Sequence, residues 1–283
     1  MHGVLIVDKP AGPTSHDVVD QVRRALGMRR VGHLGTLDPF AEGLLVLVTG
    51  RATRLATFAA GWEKMYEGVI RFGATTDTDD GTGRVLTTSD GWRALDRAAV
   101  EQTFAALRGA QEQRPPAFSA VKVDGVRAHK RARRGETVAP AARPVDVREL
   151  ELIDWSPPDA RFRATVSAGT YLRSLARDAG AALGCGAHLV ELRRTAVGPF
   201  ALADAIAPEA VAPGAARDPA ALVAGLPRRT LEPAEREAVM HGRPLAVPGN
   251  EATGMVALFD GDALLAVAEW AGDVLKPRVV LEG

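Results

Sequence analysis

The sequence has few of the residues and motifs on which metal- and cofactor-dependent enzymes rely. It contains one cysteine, Cys185, which excludes an internal disulfide framework and a cysteine-rich zinc site. The six histidines show no metal-ligand spacing, and no phosphate-binding loop or dinucleotide fingerprint is present. The run 77–83 resembles a calcium loop only superficially, because Gly81 stands where that loop needs an oxygen ligand. We therefore predict a structured turn there and chemistry without a metal or other cofactor.

The chain also lacks long apolar runs. No segment approaches the roughly 18 consecutive apolar residues that a membrane-spanning helix requires. Residues 1–9 have neither the basic start nor the long apolar core of a signal peptide. We therefore expect a cytoplasmic protein with no membrane partner. The hydrophobic fraction of 46% is sufficient for one large domain with a small appendage.

The formal net charge is zero, but the charges are unevenly distributed along the chain. Residues 201–283 hold 7 basic and 12 acidic side chains, so the first 200 residues carry a balance of +5. Within that part, six basic residues opposed by Asp124 alone lie between positions 122 and 134: Lys122, Arg127, Lys130, Arg131, Arg133 and Arg134. Such a cluster is either a nucleic-acid contact or a solvated helix face, and charge alone leaves both open.

The pattern of apolar residues indicates a mixture of strands and helices. It predicts strands at 4–7, 44–48, 67–72, 145–152 and 161–167. It predicts helices from a cap at Thr14 or Ser15 to Gly27, over 98–107 and over 170–183. Because strands outnumber helices and do not alternate regularly with them, we predict an α+β fold with a mixed, largely antiparallel sheet.

The composition changes near residue 201, where the chain becomes rich in alanine and proline. We interpret 201–227 as a connector with short helical pieces that completes a main domain at 1–227. Residues 228–283 then form a small β module, with strands at 255–259 and 264–269 around an Asp-Gly-Asp turn. A module this small could hardly sustain a large core alone, so we expect it to pack on the main domain.

The stretch 32–45 surrounds one carboxylate, Asp38, with unusual backbone constraints. Its three glycines, which permit tight turns or positive φ, are Gly32, Gly35 and Gly43. Pro39 favours an extended conformation at Asp38, and the apolar run that follows would hold the loop in the core. A fixed acid braced by a buried strand is a typical mount for a catalytic group. An Asp-Pro pair can also simply begin a turn, and the local sequence leaves both interpretations open.

Two further residues could complement Asp38. Arg173 falls in the first turn of a predicted helix, where the helix dipole disfavours a cation, so a carboxylate partner is expected. That partner is Asp38, or else Arg173 is a surface residue paired with Asp178 or Glu191. Tyr66, one of only two tyrosines, opens a strand and is either a strand aromatic or a residue that stacks on a base or moves a proton.

Six segments together carry a resemblance to a known family: 8–15, 32–45, 64–66, 114–122, 167–173 and 184–194. In these segments and their order, the chain resembles the TruB family of bacterial tRNA pseudouridine synthases across essentially all of residues 3–200. The run 272–277 resembles the family's PUA-like RNA-binding module less sharply. The resemblance implies a pseudouridine synthase catalytic domain followed by a small PUA-like β domain.

The resemblance also implies a reaction. A uridine in the T-loop of tRNA, at position 55, is isomerised to pseudouridine without a cofactor: the N1–C1′ bond breaks, the uracil turns, and C5 bonds to C1′. Asp38 matches the essential aspartate, which attacks the sugar or assists formation of a glycal. Arg173 matches the arginine that pairs with it, and Leu192 matches an apolar contact in the pocket. Tyr66 matches the residue that stacks on the target base and helps to remove the C5 proton.

Contacts with RNA are implied in the same way. The target uridine must be flipped out of the folded tRNA, and His33 matches the residue that takes part in that exchange. The basic segment 117–145 corresponds to an insertion that grips RNA, in which Lys122, Lys130 and Arg131 would meet phosphates.

Lys9 is also expected to contact RNA. The expected partner is the T-stem-loop of tRNA, bound by a monomer without a metal ion. Two alternatives remain: an RNA-binding or tRNA-folding chaperone without turnover, and a synthase of the same fold that acts on another RNA.

Overall fold

The computed structural model describes residues 2–249 and 251–281. The first 201 residues supply thirteen strands within that part of the chain: β1 (Gly3–Lys9), β2 (Val31–His33), β3 (Glu42–Thr49), β4 (Lys64–Phe72), β5 (Ala74–Thr76), β6 (Val85–Thr88), β7 (Gly109–Gln113), β8 (Lys122–Val123), β9 (Val126–Arg127), β10 (Arg143–Ser156), β11 (Asp159–Val166), β12 (Ala187–Val197) and β13 (Phe200–Ala201). Their helices are α1 (Ser15–Leu26), α2 (Arg97–Ala106), α3 (Ala128–Ala132) and α4 (Leu172–Ala182).

Nine of these described strands form the main sheet, in the order β1-β3-β12-β4-β11-β10-β7, with β2 added to β3 and β13 to β12. Strand β12 lies parallel to β3, and every other pairing given for this sheet is antiparallel. Helices α2 and α4 pack with the centre of the sheet in one core, which includes Phe104, Phe162 and Leu175. The predicted α+β fold with a mixed, largely antiparallel sheet is confirmed.

The predicted elements lie where the sequence pattern puts them, with small shifts at the ends. Thr14 caps α1 through a capping box with Asp17, and Gly27 ends the helix in the left-handed conformation with φ of 61°. The helix predicted from residue 170 begins at Leu172. Strands of two to four residues, such as β2, β8 and β9, were not predicted, because so short a run shows no periodicity.

The connector runs along the outer edge of β1. Val4 exchanges two backbone hydrogen bonds with Arg217, at 3.0 and 2.8 Å. Ile206 donates to the carbonyl of Ile6 at 2.9 Å and accepts from the amide of Asp8 at 2.9 Å. Short 3-10 helices lie between and around these contacts, as predicted for this segment. The edge strand of the main sheet is therefore covered by its own chain.

A second sheet forms the small C-terminal β domain. Its described strands are β14 (Arg228–Thr230), β15 (Leu245–Ala246), β16 (Gly254–Asp260), β17 (Ala263–Ala271) and β18 (Val274–Val280), in the order β14-β16-β17-β18-β15, with α5 (Pro233–Met240) against them. Phe259, Leu264 and Leu281 of this domain share one apolar cluster with Leu34 and Leu44 of the main domain. The expected packing of the module on the main domain is therefore present. Among the described helices, none has the length and hydropathy to cross a bilayer.

Candidate active site

Asp38 lies on the loop between β2 and β3, with 34% of its side chain exposed. Its neighbour Leu37 is 2% exposed and belongs to the core of the main sheet, together with Ala41. Ser15, the first residue of α1, holds both backbone groups of Leu37. The Ser15 hydroxyl accepts from the amide at 2.8 Å and donates to the carbonyl at 2.9 Å. The backbone is therefore fixed one residue before the acid.

Lys9, which the resemblance assigns to RNA binding, lies beneath this loop instead. The side chain is fully buried. Its ammonium donates to the carbonyl oxygens of Pro10 at 2.8 Å, Pro39 at 3.4 Å and Ala41 at 2.7 Å. An ammonium enclosed in this way has no surface to offer a phosphate. The expectation that Lys9 contacts RNA is therefore wrong, and the residue holds the loop of Asp38 in place.

The burial of Lys9 predicts a pH dependence of stability. Burial lowers the pKa of Lys9 from 10.5 to about 8, against the attraction of Asp38. Between these values the unfolded chain binds more protons than the folded one, so stability rises with pH through that window. Relative to Lys9→Met, we expect the wild-type free energy of unfolding to rise by about 3 kcal/mol between pH 8 and 10.5.

Denaturant unfolding at a series of pH values measures this difference. Lys276→Met, which removes an exposed lysine by the same substitution, serves as the control and should follow the wild-type curve. Wild-type and Lys9→Met curves that run parallel across the window would contradict the prediction.

A second buried cation holds the two ends of the same loop. Arg194 of β12 is fully buried, and its guanidinium donates to three carbonyl oxygens. The acceptors are Gly35 at 3.1 Å, Thr36 at 3.4 Å and Leu44 at 2.7 Å. Because hydrogen bonds to a charged donor are stronger than neutral ones, Arg194 and Lys9 together fix the loop on both sides of Asp38.

Two of the three predicted glycine positions require glycine. Gly35 and Gly43 have φ of 118° and 101°, and a side chain at Gly43 would collide with the backbone of Arg194. A methyl group at Gly35 would come within 3.1 Å of the Lys64 side chain. Gly32 differs from the prediction, since it lies within β2 and has no positive φ.

Lys64, at the start of β4, is a third buried cation near this loop. Its side chain is 9% exposed and its ammonium donates to the carbonyl of Trp62 at 2.9 Å. Burial, and then the charge of Arg194, lower the pKa of Lys64 to about 8. Sequence reasoning assigned no role to Lys64 or Arg194. The alternation of residues along a strand shows which face of the sheet a side chain takes, but not whether other segments cover that side chain.

Arg173, in the first turn of α4, forms the expected pair with Asp38. The Nε donates to Oδ2 of the carboxylate at 2.8 Å, and the side chain is 4% exposed. The other two nitrogens also have partners. Nη1 donates to the carbonyl of Thr78 at 2.8 Å, and Nη2 donates to the carbonyl of Phe118 at 3.0 Å. One buried guanidinium therefore joins the Asp38 loop to two other segments of the chain.

The alternative partners proposed for Arg173 are engaged elsewhere. Asp178 pairs with Arg177 at 2.9 Å, and Glu191 lies 3.6 Å from Arg161. The interpretation of Arg173 as a surface arginine is therefore wrong.

Asp80 is a second carboxylate at Arg173 and was not predicted. It is 4% exposed, and its Oδ2 lies 3.5 Å from Nη1 of Arg173. Its Oδ1 accepts from the hydroxyls of Thr78 at 2.8 Å and Thr82 at 2.6 Å, and from the Thr82 amide at 3.0 Å. The run 77–83 is therefore a structured turn, as predicted, and its threonines orient an acid toward Arg173. Thr78 and Thr82, two positions before and after Asp80, were the feature of the sequence from which a held carboxylate could have been predicted.

Tyr66, Leu192 and His33 all lie on strands of the main sheet. Tyr66 of β4 and Leu192 of β12 are 5% and 8% exposed and belong to the core cluster that contains Leu37. His33 ends β2, five positions before Asp38. Burial, and then the charge of Arg194, lower the pKa of His33 from its ordinary value of 6.5, which favours the neutral imidazole. Tyr66 and Leu192 therefore share a core cluster with the residue that precedes Asp38, and His33 lies at the end of the strand from which the Asp38 loop starts.

The basic insertion spans residues 114–142, between β7 and β10. Residues 143–145, which the prediction included, belong to β10. Lys122 of β8 and Lys130 of α3 are exposed. Arg131 is placed differently: its guanidinium bonds Asp124 at 2.8 Å and Glu136 at 2.6 Å. Its charge is balanced within the insertion, so the structure does not support a phosphate contact for Arg131.

Comparison with known proteins agrees with this architecture. Residues 23–172 match the model of the TruB family pseudouridylate synthase N-terminal domain, and 173–237 match the tRNA pseudouridylate synthase B C-terminal domain. tRNA pseudouridine synthase B of Thermobifida fusca is 47% identical over 99% of each chain. The protein of that name from Azoarcus sp. is 42% identical over 98% of this chain and 93% of its own.

Solved structures agree as well. A chain of an H/ACA RNP bound to a substrate RNA containing 2′-deoxyuridine superposes with a TM-score of 0.74, at 26% identity, over 99% of this chain and 85% of that one. A chain of a Cbf5-Nop10-Gar1 complex gives 0.74 at 28% identity, over 99% and 84%. The family models and the fold together define a pseudouridine synthase, an isomerase that acts on RNA. The chain belongs to the TruB family, whose curated members named above are tRNA pseudouridine synthases.

Proposed function

We propose that the protein converts the T-loop uridine at position 55 of tRNA to pseudouridine and that Asp38 is the catalytic residue. The observation that carries this proposal is the 2.8 Å bond between Asp38 and the buried guanidinium of Arg173. The residue before Asp38, Leu37, shares a core cluster with Tyr66 and Leu192. The guanidinium fixes one oxygen of the carboxylate through a charge-assisted hydrogen bond, and a carboxylate is a group that can attack a sugar carbon. The relatives named tRNA pseudouridine synthase B support tRNA as the substrate.

The reaction proceeds without loss or gain of atoms. The N1–C1′ bond breaks and its electrons leave with the uracil, while Asp38 bonds C1′ or removes a sugar proton to form a glycal. The uracil turns and C5 bonds to C1′, while the Asp38–C1′ bond breaks or, on the glycal route, Asp38 returns the proton to the sugar. The C5 proton is then lost as N1 becomes protonated. Because Arg173 holds Oδ2 of Asp38, the other carboxylate oxygen is the one that acts on the ribose.

The other residues receive roles that fit their positions. Tyr66 stacks on the target uracil and assists removal of the C5 proton, and Leu192 packs against the base. Flipping the nucleotide costs a few kcal/mol, and His33 occupies the space that the flipped nucleotide leaves. A neutral imidazole suits this role, because it can enter a base stack without the cost of desolvating a charge.

The proposed contacts with the RNA backbone lie in the insertion. Lys122→Ala and Lys130→Ala together are expected to weaken tRNA binding and to lower the slope of log affinity against log salt by about 2, since each removes one phosphate contact. Filter binding at several salt concentrations measures the slope. Arg131→Ala, which removes a cation already bonded to two carboxylates, is the matched control and should change the slope less. An unchanged slope in the double variant would mean that these lysines do not meet phosphates.

The proposal extends to the organisation of the chain. The division we propose is a catalytic domain at 1–227 and an RNA-binding module at 228–283. A cytoplasmic location suits a tRNA substrate. We also propose that the protein acts as a monomer.

Mapping pseudouridine in tRNA transcripts incubated with the pure protein tests the function. We expect modification at the T-loop uridine and at no other uridine of the transcript. Modification only outside the T-loop would support the same fold acting on another RNA. Binding without any modification would support the chaperone alternative.

A further inference from the structure

In the main sheet, Gln113 of β7 pairs with Arg143 of β10. The insertion leaves the sheet after Gln113 and rejoins it at Arg143, so this one pair of residues, called the rung below, holds both ends of the insertion. Both residues also contact the short segment that leads into α4. Because α4 carries Arg173, this rung lies between the part of the protein proposed to grip RNA and the proposed catalytic acid.

Gln113 holds the residue that precedes α4. Its side chain is 1% exposed, and its carboxamide bonds the backbone of Tyr171 twice. The carboxamide oxygen accepts from the Tyr171 amide at 2.8 Å, and the nitrogen donates to the Tyr171 carbonyl at 3.2 Å. Tyr171 is the cap residue of α4 and makes no side-chain cap hydrogen bond of its own. The start of this helix is therefore oriented from outside, by Gln113.

Arg143 contacts the same segment from the other side of the rung. Its guanidinium donates to the carbonyl of Gly169 and lies 4.8 Å from the centre of the Tyr171 ring. Gly169 has φ of 89°, which turns the chain from β11 toward α4. Both residues of the rung therefore contact the segment that leads into α4.

The chain that leaves β7 remains bound to α4 after Gln113. The carbonyl of Arg114 accepts from the Ser174 hydroxyl and from Nη2 of Arg177, both at 2.9 Å. The carbonyl of Phe118 accepts from Nη2 of Arg173, whose Nε holds Asp38. Hydrogen bonds from two residues of this segment, Arg114 and Phe118, therefore hold the first turns of α4, and the second of them reaches the guanidinium that binds Asp38.

We infer that Gln113 is a positioning residue for the isomerisation: it fixes the start of α4, and through it the guanidinium of Arg173 against Asp38. This inference rests on the function proposed above. Displacing a catalytic group by about 1 Å can lower a rate on the order of a hundredfold, so a small shift of α4 is sufficient to be measured.

The experiment compares two glutamines of the same strand. Gln113→Ala is expected to lower the single-turnover rate at saturating tRNA transcript by about tenfold to a hundredfold. The dissociation constant for tRNA should stay within about threefold, because Gln113 is buried and offers no surface to RNA. Gln111→Ala is the control, since the Gln111 side chain donates to Leu107 at 2.6 Å and not to α4, and its rate should match the wild type.

The variant Gln113→Glu adds a second measurement, the pH dependence of its rate, which general damage to the fold would not change. An ionised glutamate can still accept from the Tyr171 amide, but it faces the Tyr171 carbonyl with a second acceptor. A protonated glutamate restores the missing donor. Because burial raises the pKa of a carboxyl, the rate of Gln113→Glu relative to wild type should rise as the pH falls. The same ratio for Gln113→Ala should stay flat.

Three results would overturn the inference. The first is a Gln113→Ala rate within about twofold of wild type, the second an equal loss in Gln111→Ala, and the third a weaker affinity with an unchanged rate at saturation. If Gln113→Ala does not fold, the pH dependence of Gln113→Glu decides: a flat ratio overturns the inference and a rising ratio supports it. Turnover of the wild type, measured in parallel, tests the proposed function separately from the role of Gln113.

Discussion

Replacing Asp38 with asparagine is expected to abolish pseudouridine formation and to leave tRNA binding nearly intact. The amide has the shape of the carboxylate and can still accept from Nε of Arg173, so the loop should keep its conformation. A neutral amide cannot serve as the nucleophile or as the base, so we expect the rate to fall by at least about a thousandfold. Release of tritium from C5 of labelled uridine in tRNA measures the rate, and filter binding measures affinity.

Asp90→Asn provides the control, because Asp90 has 82% of its side chain exposed and lies in a 3-10 helix outside the site. It should turn over like the wild type. Substantial turnover by Asp38→Asn would remove Asp38 from the chemistry. A large loss of affinity in the same variant would mean that the carboxylate organises the RNA site instead.

Replacing Arg173 with methionine is expected to damage both stability and activity. The substitution leaves Asp38 and Asp80 without their shared cation, and it leaves the carbonyls of Thr78 and Phe118 without a donor. Removing one partner of a buried ion pair costs about 3–5 kcal/mol of unfolding free energy. Activity should fall by about a hundredfold or more, since the acid loses its fixed orientation. Urea unfolding and the tritium assay measure the two effects.

Arg173→Lys separates charge from geometry. A lysine keeps the positive charge but cannot donate in the three directions that the guanidinium supplies, so both losses should be intermediate. Arg161→Met removes an arginine from an exposed pair with Glu191 and should cost about 1 kcal/mol or less. An Arg173→Met variant as stable as Arg161→Met would show that the buried pair is dispensable for folding.

The local features of the site were predictable from the sequence. Gly35, Pro39 and Gly43 limit the backbone around Asp38, and such limits act within a few residues. A cation in the first turn of a helix has a local cost, which predicted a carboxylate partner for Arg173 with Asp38 as one candidate, and the structure shows that pair. Constraints of this kind are visible in one short segment.

The residues that the sequence did not reveal depend on contacts between distant segments. Lys9 ends a strand whose residues are covered on both faces, so the alternation that separates buried from exposed positions is absent there. Its three acceptors lie in the turn after β1 and in the Asp38 loop. Asp80 meets Arg173 across more than ninety positions, since their numbers differ by 93. The burial of Lys9 and the ion pair between Asp80 and Arg173 arise only once the sheet is assembled.

The connector that covers β1 has a consequence for the solution behaviour of the protein. An apolar strand with a bare edge is a template for pairing with another chain, and residues 3–7 of β1 are all uncharged and buried. A truncation at residue 200 would uncover the backbone groups of Val4, Ile6 and Asp8 that Arg217 and Ile206 now bond. The connector itself contains Pro208, Pro213 and Pro219, which have no amide hydrogen to offer a further strand. The alanine- and proline-rich segment therefore protects the sheet from edge-to-edge aggregation, and it does not itself present a new edge with which another strand could pair.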